Sequence, residues 1–162
     1  MDTGDLLQLV VEASLALAGF AGVVNALAVR RERSLATVVR LRLVNLLSTS
    51  FASMFLSLGA LGMLSAGLDE SLVWRVVSGV GLLVSIYFST ESIRTVARTV
   101  GREQAWRNPT LWMINLPFAV VCGVQVWNVI ALGAFWAFFL LVVALFAIGC
   151  ASFVSLLFAR TD

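Results

Sequence analysis

The chain has 162 residues, of which 60% are hydrophobic and 12% charged, and its formal net charge is +2. A soluble domain carries about 25% charged and about 45–50% apolar residues. This composition argues against a soluble globule, a nucleic-acid-binding domain and a disulfide-stabilised scaffold.

Five long runs with few ionisable residues account for the apolar excess, and each run has 22 to 25 residues. About 20 helical residues cross the roughly 30 Å of hydrocarbon in a bilayer. We therefore predict an all-α integral membrane helical bundle, with residues 1–162 as a single transmembrane domain of five transmembrane helices. The predicted spans are Leu6–Val29, Leu43–Ala66, Leu72–Ile93, Thr110–Ala131 and Ala134–Phe158.

The charges between the runs predict the orientation of the chain. Residues 30–42 carry five Arg and one Glu, and residues 91–109 carry four Arg and two Glu. The connection at 67–71 carries only Asp69 and Glu70. Arginine-rich connections stay in the cytoplasm, which places the N-terminus outside and the C-terminus inside. The expected location is the bacterial inner membrane.

Several residues predict where helices begin and where the chain turns. Asp5 and Asp69 precede spans one and three, and acidic residues are good N-caps. Pro109 suits the first position of the helix of span four. Leu132 and Gly133 leave room only for a tight hairpin between spans four and five.

Small and hydroxylated residues recur at helical spacing in the first three spans. In a bilayer such residues mark contacts between helices, because backbones approach closely there. We therefore expect spans one to three at the centre of the bundle and span five largely against lipid; alternatively, the serines line a polar path. The stripes are Ser14, Ala18, Gly22 and Ala26; Asn45, Ser48, Ala52, Phe55, Gly59, Gly62 and Ala66; and Arg75, Ser78, Gly81, Ser85, Ser89 and Ser92.

Three charged residues fall inside predicted spans: Glu91 lies at the end of span three, and Glu12 and Arg75 lie farther from the span ends. Glu12 shares a helical face with Ala16, Gly19, Val23 and Ala26, so we expect this face to point at protein, and Arg75 lies on the serine stripe of span three. A charge in mid-membrane costs about 2.5–3.5 kcal/mol on insertion scales, so such residues usually pair. We hypothesise an ion pair between Glu12 and Arg75. The alternative is that Arg75 reaches outer headgroups while Glu12 is protonated or hydrated.

Five amides within the spans are expected to be buried. Asn25, Asn45 and Asn115 lie at similar depth near the cytoplasmic ends of three spans, and Gln125 and Asn128 lie near the outer side. Hydrogen bonds between membrane helices average about 0.6 kcal/mol each. The three asparagines are expected to clamp helices together. The alternative is that they surround a dehydrated ion.

A basic collar is expected on the cytoplasmic side. Arg40 and Arg42 precede span two, while Arg94, Arg98 and Arg102 are spaced by four residues and predict that the helix of span three continues beyond the membrane. Each basic residue near an anionic leaflet contributes roughly 1 kcal/mol, so we expect anionic lipids as partners. An anion vestibule or a docking surface for an acidic partner is the alternative.

The sequence contains no His and no Lys. This removes the commonest general base and the usual Schiff-base residue. Cys122 and Cys150 form no metal-binding spacing and are expected to pack as small apolar residues. We expect no enzyme activity, no cofactor and no metal site.

Three short motifs carry a resemblance. The segment Gly19-Phe20-Ala21-Gly22, the Arg-x-Arg-Leu segment from Arg40 to Leu43, and Trp74-Arg75 resemble those of a widespread group of small polytopic bacterial inner-membrane proteins. The resemblance covers spans one to three. It implies a location in the bacterial inner membrane and no activity.

Two functional hypotheses follow. The first is a homo-oligomeric conduit for an ion or small solute, with anions favoured by the basic collar. The second is a non-catalytic accessory or scaffold subunit of a larger membrane complex.

Overall fold

The computed structural model describes residues 2–30, 37–101 and 109–158. These ranges contain five long helices and no strand. At some helical positions only the backbone is described: 24, 25, 27–30, 37–42, 92, 96, 99, 100, 109–114 and 155–158. The helices are α1 (Thr3–Arg30), α2 (Thr37–Ser65), α3 (Glu70–Val100), α4 (Pro109–Trp127) and α5 (Phe135–Phe158), and a π-helical turn at Asn128–Leu132 follows α4.

All five helices are long and apolar enough to cross a membrane. The stretches that meet this description are Thr3–Val23, Leu43–Ser65, Glu70–Thr95, Asn115–Leu132 and Phe135–Val154. The prediction of an all-helical chain with five candidate spans is confirmed, as is the continuation of the third helix to Val100.

The helix starts agree with two of the three predictions. Asp69 caps α3 by accepting the Leu72 N–H at 3.1 Å, and α4 begins at Pro109. The expectation that Asp5 precedes α1 was wrong, because the helix begins at Thr3 and Asp5 lies in its first turn. The Asp5 carboxylate reaches back to accept the backbone N–H of Asp2 at 3.0 Å.

The chain divides into two compact units. The first unit consists of residues 1–66 and 142–162, and so contains α1, α2 and most of α5. Ala21, Leu43 and Leu46 form a buried cluster there, against which Leu17, Leu47 and Phe153 pack.

The second unit consists of residues 67–141, and so contains α3, α4, the π-helical turn and the first turns of α5. The buried Trp74 ring stacks on Phe138 with centroids 5.9 Å apart and meets the edge of Phe135 at 5.1 Å. These contacts join α3 to the start of α5.

The expectation that α5 lies largely against lipid was wrong. Ala137, Phe138, Leu141, Val142 and Leu145 are fully buried along one of its faces. The bulky aromatic residues had suggested a lipid-facing helix. Phe138 is instead part of the core, because it packs against Trp74.

The burial predicted for the stripes of small residues agrees with the structure in α3, agrees in part in α1 and disagrees in α2. Ser78, Gly81 and Ser85 of α3 are buried, as expected. In α1, Ser14 and Ala18 are buried, but Gly22 and Ala26 are exposed. The stripe predicted for α2 was wrong: Asn45, Phe55, Gly59, Gly62 and Ala66 are exposed, and Ser48 and Ala52 are half-buried. The buried face of α2 carries Leu43, Leu46, Thr49, Ser50, Ser53, Leu56, Ser57 and Ala60.

Candidate functional sites

The Asn128 side chain makes three hydrogen bonds in the second unit. It is fully buried, and its Nδ2 donates to Ser78 Oγ at 2.8 Å and to the Ala134 carbonyl at 3.1 Å. Its Oδ1 accepts the Ala134 N–H at 2.8 Å. One amide therefore joins the π-helical turn, the start of α5 and the middle of α3.

The backbone at this junction is also unusual. Gly133 has φ +57° and donates its N–H to the Asn128 carbonyl at 2.9 Å. π-helical turns inside helices are rare and occur often at functional sites. The prediction of a tight hairpin at Leu132–Gly133 is confirmed, whereas the π-helical turn that precedes it was not foreseen.

Gln125 lies about one turn before Asn128 and is fully buried. Its Nε2 donates to the Ala137 carbonyl at 2.6 Å, which ties α4 to the first turn of α5. Its Oε1 accepts no hydrogen bond from the residues that the structure describes. The burial expected of both amides is confirmed, but the sequence did not reveal that they hold the same hairpin.

Of the residues predicted to form a polar path along α3, Ser78 and Ser85 are buried. Ser78 binds Asn128, and Ser85 donates to the Gly81 carbonyl at 2.7 Å. Ser89 is half-buried, and so is Arg75. The Arg75 Nε is buried and has no acceptor within the described ranges. A Cβ added to Gly133 would lie 3.0 Å from this Nε, so the arginine stem runs past the hairpin.

The first unit contains a hydroxyl row that sequence reasoning missed. It comprises Ser14 of α1 with Thr49, Ser50, Ser53 and Ser57 of α2, all at most 2% exposed. Ser14 donates to Ser53 Oγ at 3.4 Å, and Ser53 donates to the Val142 carbonyl of α5 at 3.5 Å. The spacing of Ser50, Ser53 and Ser57 by three and four residues was the available signal, because it places them on one helical face.

Gly149 allows α5 to approach this row closely. A Cβ added there would lie 3.1 Å from Thr49 Oγ1 and 3.4 Å from Ser50 Oγ. Asn45 of α2 donates its Nδ2 to Ser152 Oγ of α5 at 3.0 Å, about one turn from Thr49. Asn45 therefore makes one bond between two helices, and the clamp expected of the three asparagines together stays a prediction.

The other two asparagines give less information. Asn115 is half-buried in the second unit, and the Asn25 side chain lies outside the described residues. A ring of the three amides around an ion therefore stays a prediction.

Glu12 lies on the outside of the first unit. Its Oε1 accepts a hydrogen bond from Gln8 Nε2 at 3.1 Å, and both side chains are exposed. Ala16, Gly19, Val23 and Ala26 on the same face are exposed too. No described residue of the first unit covers this face, so the expectation that it points at protein stays a prediction. Arg75 belongs to the second unit, so the proposed ion pair between Glu12 and Arg75 stays a prediction.

Two of the five residues of the expected basic collar can be placed. Arg94 and Arg98 are exposed near the end of α3, and Arg94 pairs with Glu91 at 3.2 Å. Such an exposed pair is worth at most about 1 kcal/mol. Arg102 and the side chains of Arg40 and Arg42 lie outside the described residues.

Neither metal-binding nor disulfide chemistry is visible in the described ranges. No group of three or more His, Cys, Asp or Glu side chains there is placed to hold a metal ion. Cys122 and Cys150 are free thiols and half-buried.

Comparison with known proteins adds no identification. No family model matches the chain, and no curated protein or solved structure shows significant similarity to it. The resemblance carried by the three short motifs therefore stays a prediction.

Proposed function

We propose that the protein is a multi-pass protein of the bacterial inner membrane that assembles as a homo-oligomer through the exposed face of α1 and forms a conduit for a small ion. The observation that carries this proposal is the position of Glu12. The acid is exposed in the single chain although it lies within the candidate span Thr3–Val23.

The depth of Glu12 makes exposure to lipid unfavourable. It lies six residues beyond Leu6, where the apolar run begins, which corresponds to about 9 Å at 1.5 Å per residue. A short carboxylate at that depth does not reach the headgroups. Ionisable residues inside membrane spans usually face protein or a water-filled cavity. Within the first unit no described residue other than Gln8 contacts the Glu12 side chain, so a further subunit or an aqueous axis is the environment that we propose.

The rest of the α1 face suits close contact with another helix. Gly19 and Gly22 are exposed, and a Cβ added to either would meet no atom within 4 Å. Among the described residues, these glycines therefore make no close contact with another helix of the first unit. In membranes such small positions let two helix backbones approach.

The charge of the same face sets the expected selectivity. Asp5, Gln8 and Glu12 are all exposed and follow one another along α1, so they form an acidic face that runs from the helix start into the span. Acidic rings select cations, and we therefore propose a cation conduit. The anion preference expected from the basic collar is the competing prediction.

Flux through liposomes tests the conduit and its selectivity together. In a potassium chloride gradient across proteoliposomes, we expect a reversal potential close to the equilibrium potential of potassium. A reversal potential close to the equilibrium potential of chloride would instead favour the anion conduit expected from the basic collar. Protein that is monomeric in detergent and inactive for both ions would contradict the proposal.

Glu12→Gln is the variant that tests the acid. It keeps the size of the side chain and its bond with Gln8, so we expect the oligomer to persist while cation flux falls at least tenfold. Glu70→Gln is the matched control, because Glu70 is an exposed acid at the start of α3. Equal flux through both variants would show that Glu12 does not line the path.

The proposed orientation places the N-terminus outside and the C-terminus inside. Alkaline phosphatase is active only in the periplasm, and green fluorescent protein exported there unfolded stays dark. We expect alkaline phosphatase to be active when fused before Asp2 and green fluorescent protein to fluoresce when fused after Asp162. Fusions that report the same side at both ends would contradict five membrane crossings.

An accessory subunit is the second candidate function, and the exposed face of α2 favours it. Gly59 and Gly62 are exposed there, and a Cβ at either position would meet no atom within 4 Å. This is a further small-residue face without a partner in the chain. Cross-links from Gly62→Cys to a different membrane protein, with monomeric behaviour after purification, would support this role over the conduit.

A further inference from the structure

The hydroxyl row of the first unit is poorly satisfied by its own neighbours. The two bonds of Ser53 measure 3.4 and 3.5 Å, whereas bonds between a hydroxyl and an oxygen usually measure about 2.7–2.8 Å. Ser50 and Ser57, on either side of Ser53, have no hydrogen-bond partner in the described part of the chain, and both are fully buried. Three successive hydroxyls therefore lack a single bond of normal length.

Other hydroxyls in the same molecule are satisfied by their own helix. Ser85 in α3 donates to the Gly81 carbonyl at 2.7 Å, and Thr49 donates to the Asn45 carbonyl at 2.9 Å. A serine that turns to the carbonyl four residues earlier needs no other partner. Ser50, Ser53 and Ser57 do not take this option, so their hydroxyls are left to a partner outside the helix.

Leaving these groups unpaired is unfavourable. A buried hydroxyl without a hydrogen bond costs free energy, and the three serines fall near the middle of the candidate span Leu43–Ser65. A polar ligand that both donates and accepts hydrogen bonds removes this cost. Water has this property, and buried waters typically make about three hydrogen bonds to such groups.

We propose that the hydroxyl row binds a short file of water molecules between α1, α2 and α5. Ser50 and Ser57 are seven residues apart, or about 10.5 Å along the helix, which is the length of about three waters in a hydrogen-bonded chain. Two hydroxyls this far apart do not surround one ion. Asn45 is exposed about one turn from Thr49, so we expect water to enter at this end of the row, and the file does not depend on assembly through α1.

Reactivity of substituted cysteines tests the file. In a background with Cys122→Ala and Cys150→Ala, we expect Ser50→Cys, Ser53→Cys and Ser57→Cys to react with 2-aminoethyl methanethiosulfonate at least tenfold faster than Leu46→Cys and Ala60→Cys. The two controls occupy apolar positions on the same buried face of α2. Ser50→Cys is expected to react faster than Ser57→Cys, because it lies nearer the entrance.

A second measurement tests the proposal if the cysteine variants fail to fold. Ser57→Ala removes a hydroxyl that either binds water or is unpaired. If water is bound, the midpoint of unfolding by sodium dodecyl sulfate shifts to lower detergent, because a hydrogen bond is lost. Rates at the three serine positions within twofold of the controls, or a midpoint raised by Ser57→Ala, would overturn the proposal and identify the row as dry packing.

Discussion

Asn128→Ala is expected to lower the free energy of unfolding by about 2–3 kcal/mol, since each of its three hydrogen bonds contributes roughly 0.5–1.5 kcal/mol. The substitution also leaves Ser78 Oγ, the Ala134 N–H and the Ala134 carbonyl without their partner in the second unit. An equilibrium titration with sodium dodecyl sulfate in mixed micelles measures the change.

Two further variants separate the amide from the general effect of truncation. Ile130→Ala lies in the same π-helical turn but is 71% exposed, so its effect is expected to stay within about 0.5 kcal/mol. Asn128→Asp keeps an acceptor for the Ala134 N–H but places a carboxyl group at a fully buried position, so it is expected to be at least as destabilising as Asn128→Ala. If Asn128→Ala were no more destabilising than Ile130→Ala, the amide would not hold the hairpin.

The sequence predicted the helices well because helix formation here follows from the apolar composition of each run. A run of more than about 20 apolar residues has few alternatives to a long helix in a bilayer. The positions of Asp69 and Pro109 then marked two helix starts, since an acidic cap and a proline without an N–H each satisfy a local requirement at the first turn.

The sequence did not reveal which face of a helix is buried. In α2, small residues lie on two faces: Gly59 and Gly62 are exposed, whereas Ser53 and Ser57 are buried. Both sets have the spacing of a helix contact, and spacing alone carries no information about the neighbour. In α3 only one polar stripe exists, and there the prediction was right.

The candidate sites also show that the sequence does not reveal which neighbours a buried residue contacts. Asn128 and Gln125 were expected to be buried, because amides in a span avoid lipid. Their partners were not foreseen, because Ala134 and Ala137 take part through backbone carbonyls that leave no trace in composition. The π-helical turn is a local widening of the backbone between Asn128 and Leu132, and no residue type marks it.

Gly133→Ala is expected to be the most destabilising single-methyl change in the chain. The glycine has φ +57°, and a residue with a Cβ pays about 1–2 kcal/mol in this left-handed region. The added Cβ would also lie 3.0 Å from Arg75 Nε, 3.1 Å from the Ser71 carbonyl oxygen and 3.2 Å from Ser71 Cβ. Two of these three atoms belong to Ser71, in the first turn of α3, and they move only with that helix.

Substitutions at two other glycines separate the cost of the left-handed backbone from the cost of the steric contacts. Gly67 has φ +77°, but no atom lies within 4 Å of an added Cβ, so Gly67→Ala is expected to show the backbone cost alone. Gly123 is helical and exposed with open space around it, so Gly123→Ala is expected to stabilise by up to about 1 kcal/mol. The expected order of stability is Gly123→Ala, wild type, Gly67→Ala and Gly133→Ala, measured by the same detergent titration. If Gly133→Ala matched Gly67→Ala, the contact between the hairpin and the start of α3 would be looser than the structure places it.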